Sequence, residues 1–436
     1  MFRRNFLQTA GAATVFSLAQ ASPQGKAVPR NGQTGSSEIG MGFIGRGIRG
    51  THLLRQFQAL PGVRALAVAD LYDGCLKAAL EDTGNRAAAT KDYRAVLDRK
   101  DIDAVAIATP DHWHTRMVLD ALDAGKHVYI EKPMTWSIAE GPRVIAAVQR
   151  TGRVLQVGSE AKTSQLTAKA KEIVKSGALG KVNLVRLMNG RNSGTGAWRY
   201  PVPPDASPET IDWPRFLGSA PPRPFDANVF FRWRCWWEYS GGVSTDLFVH
   251  LLTQLHEIMD ARGPKSAVSQ GGIYKWNDGR TVPDLLNSLL DYGGFITDIC
   301  VDLENTFTPR GIYILGQDGS MMLGNNRLTV YPEPAYPDVE PNLAWPREMR
   351  LAYLESNGYT PEGKPKMPLV PPRPKEITIE RGPSHFEYFL ESIRDGKPSR
   401  EDATEGHHAA AAGHLANIAY REGRKVSWDV DSGKVS

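Results

Sequence analysis

The sequence predicts an α/β protein in two parts. A doubly wound parallel sheet is expected over residues 37–158, and an α+β domain with an open, largely antiparallel sheet over 159–436. Three observations carry this. Apolar strand-like runs alternate with helix-period segments from Ile39 to Val157. Between Val182 and Val330 strand-like runs dominate. The length of 436 residues argues for two domains rather than one.

The first strand runs Ile39–Ile44 and leads into Gly45-Arg46-Gly47-Ile48-Arg49-Gly50. Leu53, Leu54, Phe57 and Leu60 then recur at helical spacing, and Pro61-Gly62 ends the helix. A second strand, Val63–Ala69, stops at Asp70. Each part has a physical role in holding a dinucleotide. The first glycine allows the tight turn, the second lets backbone approach a pyrophosphate, and the third lets helix and strand pack closely. The helix N-terminus offers free N–H groups and a positive dipole end to the phosphates. Asp70 can accept hydrogen bonds from ribose hydroxyls, and its charge repels a 2′-phosphate, which favours NAD. Arg46 and Arg49 are near enough in sequence to leave NADP open.

The alternation continues. Ile102–Ala108 reads as a strand ending in Thr109-Pro110-Asp111-His112-Trp113-His114, and a helix follows over Thr115–Ala124. The strand His127–Ile130 delivers Glu131-Lys132-Pro133. This puts a lysine at the carboxyl end of a strand, where open α/β sheets place their ligands. The proline biases Lys132 toward extended backbone. A helix over Ile138–Arg150 and a strand over Val154–Val157 complete the half.

In the second half, strands are expected at Val182–Met188, Ser266–Tyr274, Ser288–Tyr292, Phe295–Val301 and Gly311–Leu315, with a hairpin over Gly319–Val330. Gly241-Gly242 precede a helix bearing Asp246 and His250, which are four apart and share one face. A carboxylate and an imidazole so placed either converge on a ligand or bond to each other in the core. The aromatic run Phe230–Tyr239 contains Trp233 and Trp236, which suit stacking on a sugar or packing in a core or subunit interface. Arg191 is a further substrate candidate. Residues Tyr331–Pro374 hold 11 of the 30 prolines and are expected to form an ordered surface loop or a partner contact. Helices are expected over Ser384–Arg394 and Thr404–Tyr420; His407, His408 and His414 on the latter read as structural, and no metal site is predicted.

The bulk numbers narrow the class. A net charge of +4 with scattered basic residues argues against a nucleic-acid partner. No apolar run reaches about 18 residues, so no stable membrane span is expected. Cys75, Cys235 and Cys300 are odd in number and far apart, which argues against a disulfide framework. Arg3-Arg4-Asn5-Phe6-Leu7, the weakly apolar stretch after it and Ala19-Gln20-Ala21 have the order of a twin-arginine export signal. Residues 1–36 are therefore expected to be signal and linker, and the location periplasmic.

Taken together, the Gly45 loop, Thr109-Pro110-x-x-x-His114, Glu131-Lys132-Pro133 and Asp246-x-x-x-His250 resemble the Gfo/Idh/MocA oxidoreductase family over residues 38–435. The resemblance implies a Rossmann domain holding NAD, with Gly45, Arg46, Gly47, Ile48, Arg49, Gly50, Asp70, Thr109, Pro110, His114, Glu131 and Lys132 at the cofactor. Asp111 stands where that family usually has Asn. The resemblance joins Asp246 and His250 to Lys132 as the catalytic group, with Trp233, Trp236 and Arg191 at the substrate. The implied activity is NAD(P)-dependent oxidation of a sugar, polyol or glycoside hydroxyl by a homo-oligomer. His250, with an ordinary pKa near 6.5, fits the role of base. Because free NAD is expected to be scarce outside the cytoplasm, an exported member would keep its NAD bound. It could then run a closed redox cycle, either oxidising a first sugar and reducing a second, as glucose–fructose oxidoreductase relatives do, or giving glycoside hydrolysis or epimerisation with no net redox change. A non-catalytic sugar-binding descendant is the reading from another class.

Overall fold

The computed structural model describes residues 38–307, 310–324, 326–333, 344–366, 373–380 and 382–436. The leader and linker lie outside the described residues. The nucleotide half runs β1 (Ile39–Ile44), α1 (Ile48–Gln58), β2 (Val63–Ala69), α2 (Asp73–Asp82), β3 (Ala88–Thr90), α3 (Tyr93–Leu97), β4 (Ala104–Ile107), α4 (Asp111–Asp123), β5 (His127–Ile130), α5 (Gly141–Thr151) and β6 (Leu155–Val157). Its six strands are all parallel, in the order β3-β2-β1-β4-β5-β6. This is a Rossmann fold, with the strand order reversing at β1 and β4. Strands β1, β4 and β5 are buried almost throughout, as a sheet covered on both faces requires.

The second half follows with α6 (Gln165–Lys175), β7 (Val182–Gly190), α7 (Trp213–Leu217), α8 (Ala227–Phe231), α9 (Val249–Met259), β8 (Ser266–Gly272), β9 (Leu285–Asp291), β10 (Ile296–Asp302), β11 (Gly311–Gly316), β12 (Gly319–Gly324), β13 (Arg327–Pro332), α10 (Arg347–Ser356), β14 (Lys375–Ile377), α11 (His385–Asp395), α12 (Ala403–Glu422) and β15 (Val426–Ser427). Nine strands form a mixed sheet in the order β14-β13-β12-β11-β7-β10-β9-β8-β15. Only β7 and β10 pair in parallel. Alternate residues of β9 and β10 are buried, so one face of this sheet carries the core and the other is open.

The structure adds α2, β3, α3, α6, α7, α8, β14 and β15 to the expected elements, and it differs from the expectation in three further respects. Helix α4 starts at Asp111 rather than Thr115, so His112, Trp113 and His114 lie in its first turn. Asp111 there puts a carboxyl at the positive end of the helix dipole. The proline-rich segment is not all loop: Pro346 sets the N-terminus of α10, and Leu354 of that helix is buried. Residues 334–343 and 367–372 of that segment lie outside the described residues. Before α9, Ser244–Phe248 form a widened π turn instead of regular α-helix.

The chain's end returns to the nucleotide half. Phe386, Phe389 and Leu390 of α11 pack with Phe43, Leu53, Phe57 and Tyr129 in one core. The Phe389 ring lies 5.9 Å from Phe57 and 5.7 Å from Tyr129, edge-on to both. Helix α12 is buried along most of its length and passes behind the site to be described. Prediction: Phe389→Ala lowers unfolding free energy by about 3–5 kcal/mol, read by urea denaturation of the full chain. A loss under 1 kcal/mol would show that α11 is not integral to the nucleotide core.

Candidate active site

The loops after β1 and β4 line a cleft of about 570 Å³. Gly45 has φ +85°, and an added Cβ would fall 2.6 Å from the Ala108 carbonyl oxygen. At Gly50 a Cβ would fall 1.8 Å from the Gly45 carbonyl oxygen, so only glycine allows α1 this close to the turn. A Cβ at Gly47 would meet nothing within 4 Å, which leaves that side of the loop open for a pyrophosphate. Gly47 is also the N-cap of α1 and brings no capping side chain, so first-turn N–H groups are free for phosphate oxygens. The residues present fit a dinucleotide.

Asp70 sits at the end of β2 beside this loop. Its Oδ2 accepts the Arg46 N–H at 2.6 Å, and Oδ1 accepts the Tyr72 N–H at 3.0 Å. The Arg46 guanidinium is committed to Asp82, and Arg49 to Glu131 (2.6 Å) and Glu160. Both arginines line the cleft, but neither is left without a carboxylate to meet a 2′-phosphate. Ile48, 68% exposed, lies on the rim. Thr109 and Pro110 line the cleft as expected.

His114 does not. It is 1% exposed, with Nδ1 facing the Pro133 carbonyl at 2.6 Å and Nε2 facing the Thr109 carbonyl at 2.9 Å. The expectation of a cofactor contact is corrected: the imidazole ties the Thr109 loop to the Glu131-Lys132-Pro133 segment from behind. Glu131, 5% exposed and bonded to Arg49, likewise anchors that segment to α1.

Lys132 reaches across to the second domain. Its Nζ donates to Asp246 Oδ1 at 2.7 Å and to the Asp246 carbonyl at 2.9 Å. Arg234 Nε donates to the same Oδ1 at 3.0 Å. The π turn holding Asp246 is fixed by α12: Ser244 donates to the Gly413 carbonyl, and Asn417 donates to that of Gly241 at 2.8 Å. Burial pushes the Asp246 carboxyl up, but Lys132 and Arg234 outweigh it and hold it well below the usual carboxylate range. Burial, helped by the Lys132 charge, pushes His250 down to about 3. His250 therefore stays neutral over the working range, and the expectation of a base poised near neutrality is corrected.

Two site residues escaped the sequence reading. Arg234 was one charge in an aromatic run; its guanidinium lies 4.2 Å from the Trp233 ring centre, and both line the cleft. Asp111, 2% exposed, accepts only a long bond of 3.4 Å from the Gly241 N–H. Burial and then the Asp246 charge push it up to about 7. Its departure from Asn was the available signal. Of the substrate candidates, Trp233 reaches the cleft. Trp236 is 8% exposed within the second domain's core, and that expectation is corrected in favour of packing. Arg191 lies at the end of β7, within electrostatic reach of Asp246, Tyr200 and Arg234.

Residues 39–159 match the Gfo/Idh/MocA family, described as "Oxidoreductase family, NAD-binding Rossmann fold". Over this segment the chain is similar to the NAD-binding Rossmann domain of that family. The chain is 30% identical over 231 residues to a glycosyl hydrolase family 109 protein of Shewanella baltica, a match covering 45% of this chain and 50% of that one. It is 29% identical, with the same coverage, to an alpha-N-acetylgalactosaminidase of Shewanella oneidensis. The chain thus spans about half the length of the curated relatives it matches. Among solved structures, an aldose-aldose oxidoreductase from Caulobacter crescentus complexed with glycerol matches with TM-score 0.63 at 19% identity, covering 89% of this chain and 99% of that one. A levoglucosan dehydrogenase with NADH and levoglucosan matches with TM-score 0.62 at 17% identity and the same coverage. At this identity the likeness is one of fold, and it extends over both halves of the chain.

Asp111 gives a pH prediction. Its carboxyl is protonated in the folded state at pH values where the unfolded chain has ionised it, so stability is lost as pH rises from about 4 to 7. Asp111→Asn removes that loss. Its melting temperature exceeds the wild type's at pH 8, and the gap closes by pH 4. Parallel curves at both pH values would refute a buried, proton-holding Asp111.

Proposed function

We propose that the chain is an oxidoreductase of sugar, polyol or glycoside hydroxyls that keeps its NAD through turnover. The observation that carries this is the buried Lys132–Asp246 pair, which brings a cation from the nucleotide domain and a carboxylate from the second domain together beside the cofactor crevice. When bound, NAD supplies the hydride acceptor. Lys132 grips the reacting oxygen and stabilises its developing charge. Asp246 holds Lys132 in place. Asp111 is the group whose proton exchanges near neutral pH, and neutral His250 offers a hydrogen bond to an adjacent hydroxyl. The sugar class is supported by the cleft's Trp233 face and by the names of the relatives.

Retention of NAD has its own support. The segment before α7 crosses the cleft next to Asp70. Asp73 N–H donates to the Thr210 carbonyl at 3.0 Å, Asp212 N–H to the Leu71 carbonyl at 2.9 Å, and Tyr72 Oη–H to Asp205. Pro201 and Pro203 of the same segment line the cleft. A segment that lines the cleft and is tied to the residues after β2 supports slow release of a dinucleotide. With the glycosidase names among the relatives, this favours a second reading: one hydroxyl is transiently oxidised to a ketone, the adjacent carbon loses a proton as the glycosidic substituent leaves as its alcohol, water adds to the resulting double bond, and the hydride returns to the ketone. Export in folded form, led by Arg3-Arg4, would carry the cofactor with the protein.

The test is a panel of neutral sugars and glycosides mixed with extensively dialysed protein, with 340 nm absorbance and products followed together. NAD is expected to survive dialysis. Products without net NADH support the closed cycle, and accumulating NADH supports the dehydrogenase. Lys132→Met is expected to keep NAD and lose turnover by more than tenfold. Protein that emerges free of NAD, or a Lys132→Met variant still active within tenfold, overturns the proposal.

A further inference from the structure

The charges around the site do not balance. Lys132 and Arg234 both bond to one oxygen of Asp246, so that carboxylate is already shared by two cations. Arg191 is a third cation near it, and its Nε and Nη2 are buried with no hydrogen-bond partner. Among the charges acting on Arg191, Asp246 is the strongest and Arg310 and Arg234 repel it. Burial pushes its guanidinium down, as expected for a desolvated cation. Buried guanidinium N–H groups without acceptors are costly unless a ligand supplies the oxygens. Nε and Nη2 form one edge of the guanidinium fork, and that edge matches the two oxygens of a carboxylate. The Arg191 N–H donates to the Asp302 carbonyl at 2.9 Å, so its main chain joins the ends of β7 and β10. The centre of the Trp198 ring lies 5.9 Å from the guanidinium carbon.

We propose that the substrate is a sugar acid, its carboxylate held bidentate by Nε and Nη2 of Arg191 while the reacting hydroxyl lies at Lys132. The proposal rests on the sugar-hydroxyl reading above and narrows it from sugars in general to uronic acids and their glycosides. Phosphate or sulfate esters share the negative charge but present a tetrahedral group, and neutral sugars present none.

The test uses the full chain with its bound NAD and reads binding as well as turnover. Sodium D-glucuronate, sodium D-galacturonate, glucose 6-phosphate, glucose 6-sulfate, D-glucose and D-galactose are compared by thermal shift and calorimetry. A uronate is expected to bind at least tenfold more tightly than its neutral counterpart. Arg191→Gln is expected to abolish that preference, and Arg191→Lys, which keeps the charge without the fork, to keep only part of it. Arg191→Met is expected to raise the melting temperature of the ligand-free protein, because it removes buried N–H groups without acceptors. Equal binding of acids and neutral sugars overturns the proposal, as does tighter binding of the phosphate or sulfate. A preference surviving in Arg191→Gln, or a fall in melting temperature for Arg191→Met, overturns it too. Uronate binding without any reaction at the bound NAD supports the subsite and instead sinks the oxidoreductase reading, so the two failures are distinct.

Discussion

The ion pair between Lys132 and Asp246 is the constraint on which the site depends. Its partners are 114 residues apart and belong to different domains, and their side chains are 9% and 10% exposed. Taking two charges out of water costs more than their attraction returns unless further bonds satisfy them. Here Arg234 and the Asp246 carbonyl supply those bonds. Everything around the pair serves its geometry. His114 and Glu131 fix the strand end that presents Lys132. Helix α12 fixes the π turn that presents Asp246. Loss of either partner would strand a buried charge, so the pair also binds the two domains into one arrangement of groups at the cleft.

The same pair sets the protonation of its neighbours. Two cations on Asp246 keep it ionised even in a buried position. The nearby Lys132 charge adds to burial in keeping His250 neutral, and the Asp246 charge adds to burial in raising Asp111. The group poised near neutral pH is therefore Asp111 and not the imidazole. A family resemblance assigns positions, but the charge state at each position comes from burial and neighbours. The segment before α7 adds backbone bonds to the residues after Asp70, where both segments line the cleft.

Much of the nucleotide half was legible in the sequence. Strands β1, β2 and β5 begin and end at the expected residues, because each is a short, mainly apolar run with glycine, proline or charge at its ends. The Gly45–Gly50 turn was legible because each glycine answers a steric demand that no side chain can meet. Helix α6 and the helix inside the proline-rich segment carry weaker patterns, since much of each faces solvent and tertiary contacts decide its existence. The start of α4 was missed because its first turn is rich in polar and aromatic residues.

The sequence by itself determined the residues that can hold a dinucleotide and the lysine at the strand end, because local turn geometry and period-two and helical patterns depend on neighbours along the chain. It also determined that Asp246 and His250 lie together. Only the tertiary structure decided that Asp246 bonds to Lys132 and Arg234, that His114 and Trp236 are buried supports, and that Nε and Nη2 of Arg191 have no hydrogen-bond partner among the described residues. These are facts about which distant groups share a desolvated space. Desolvation and charge pairing act through space, and no spacing along the chain encodes them.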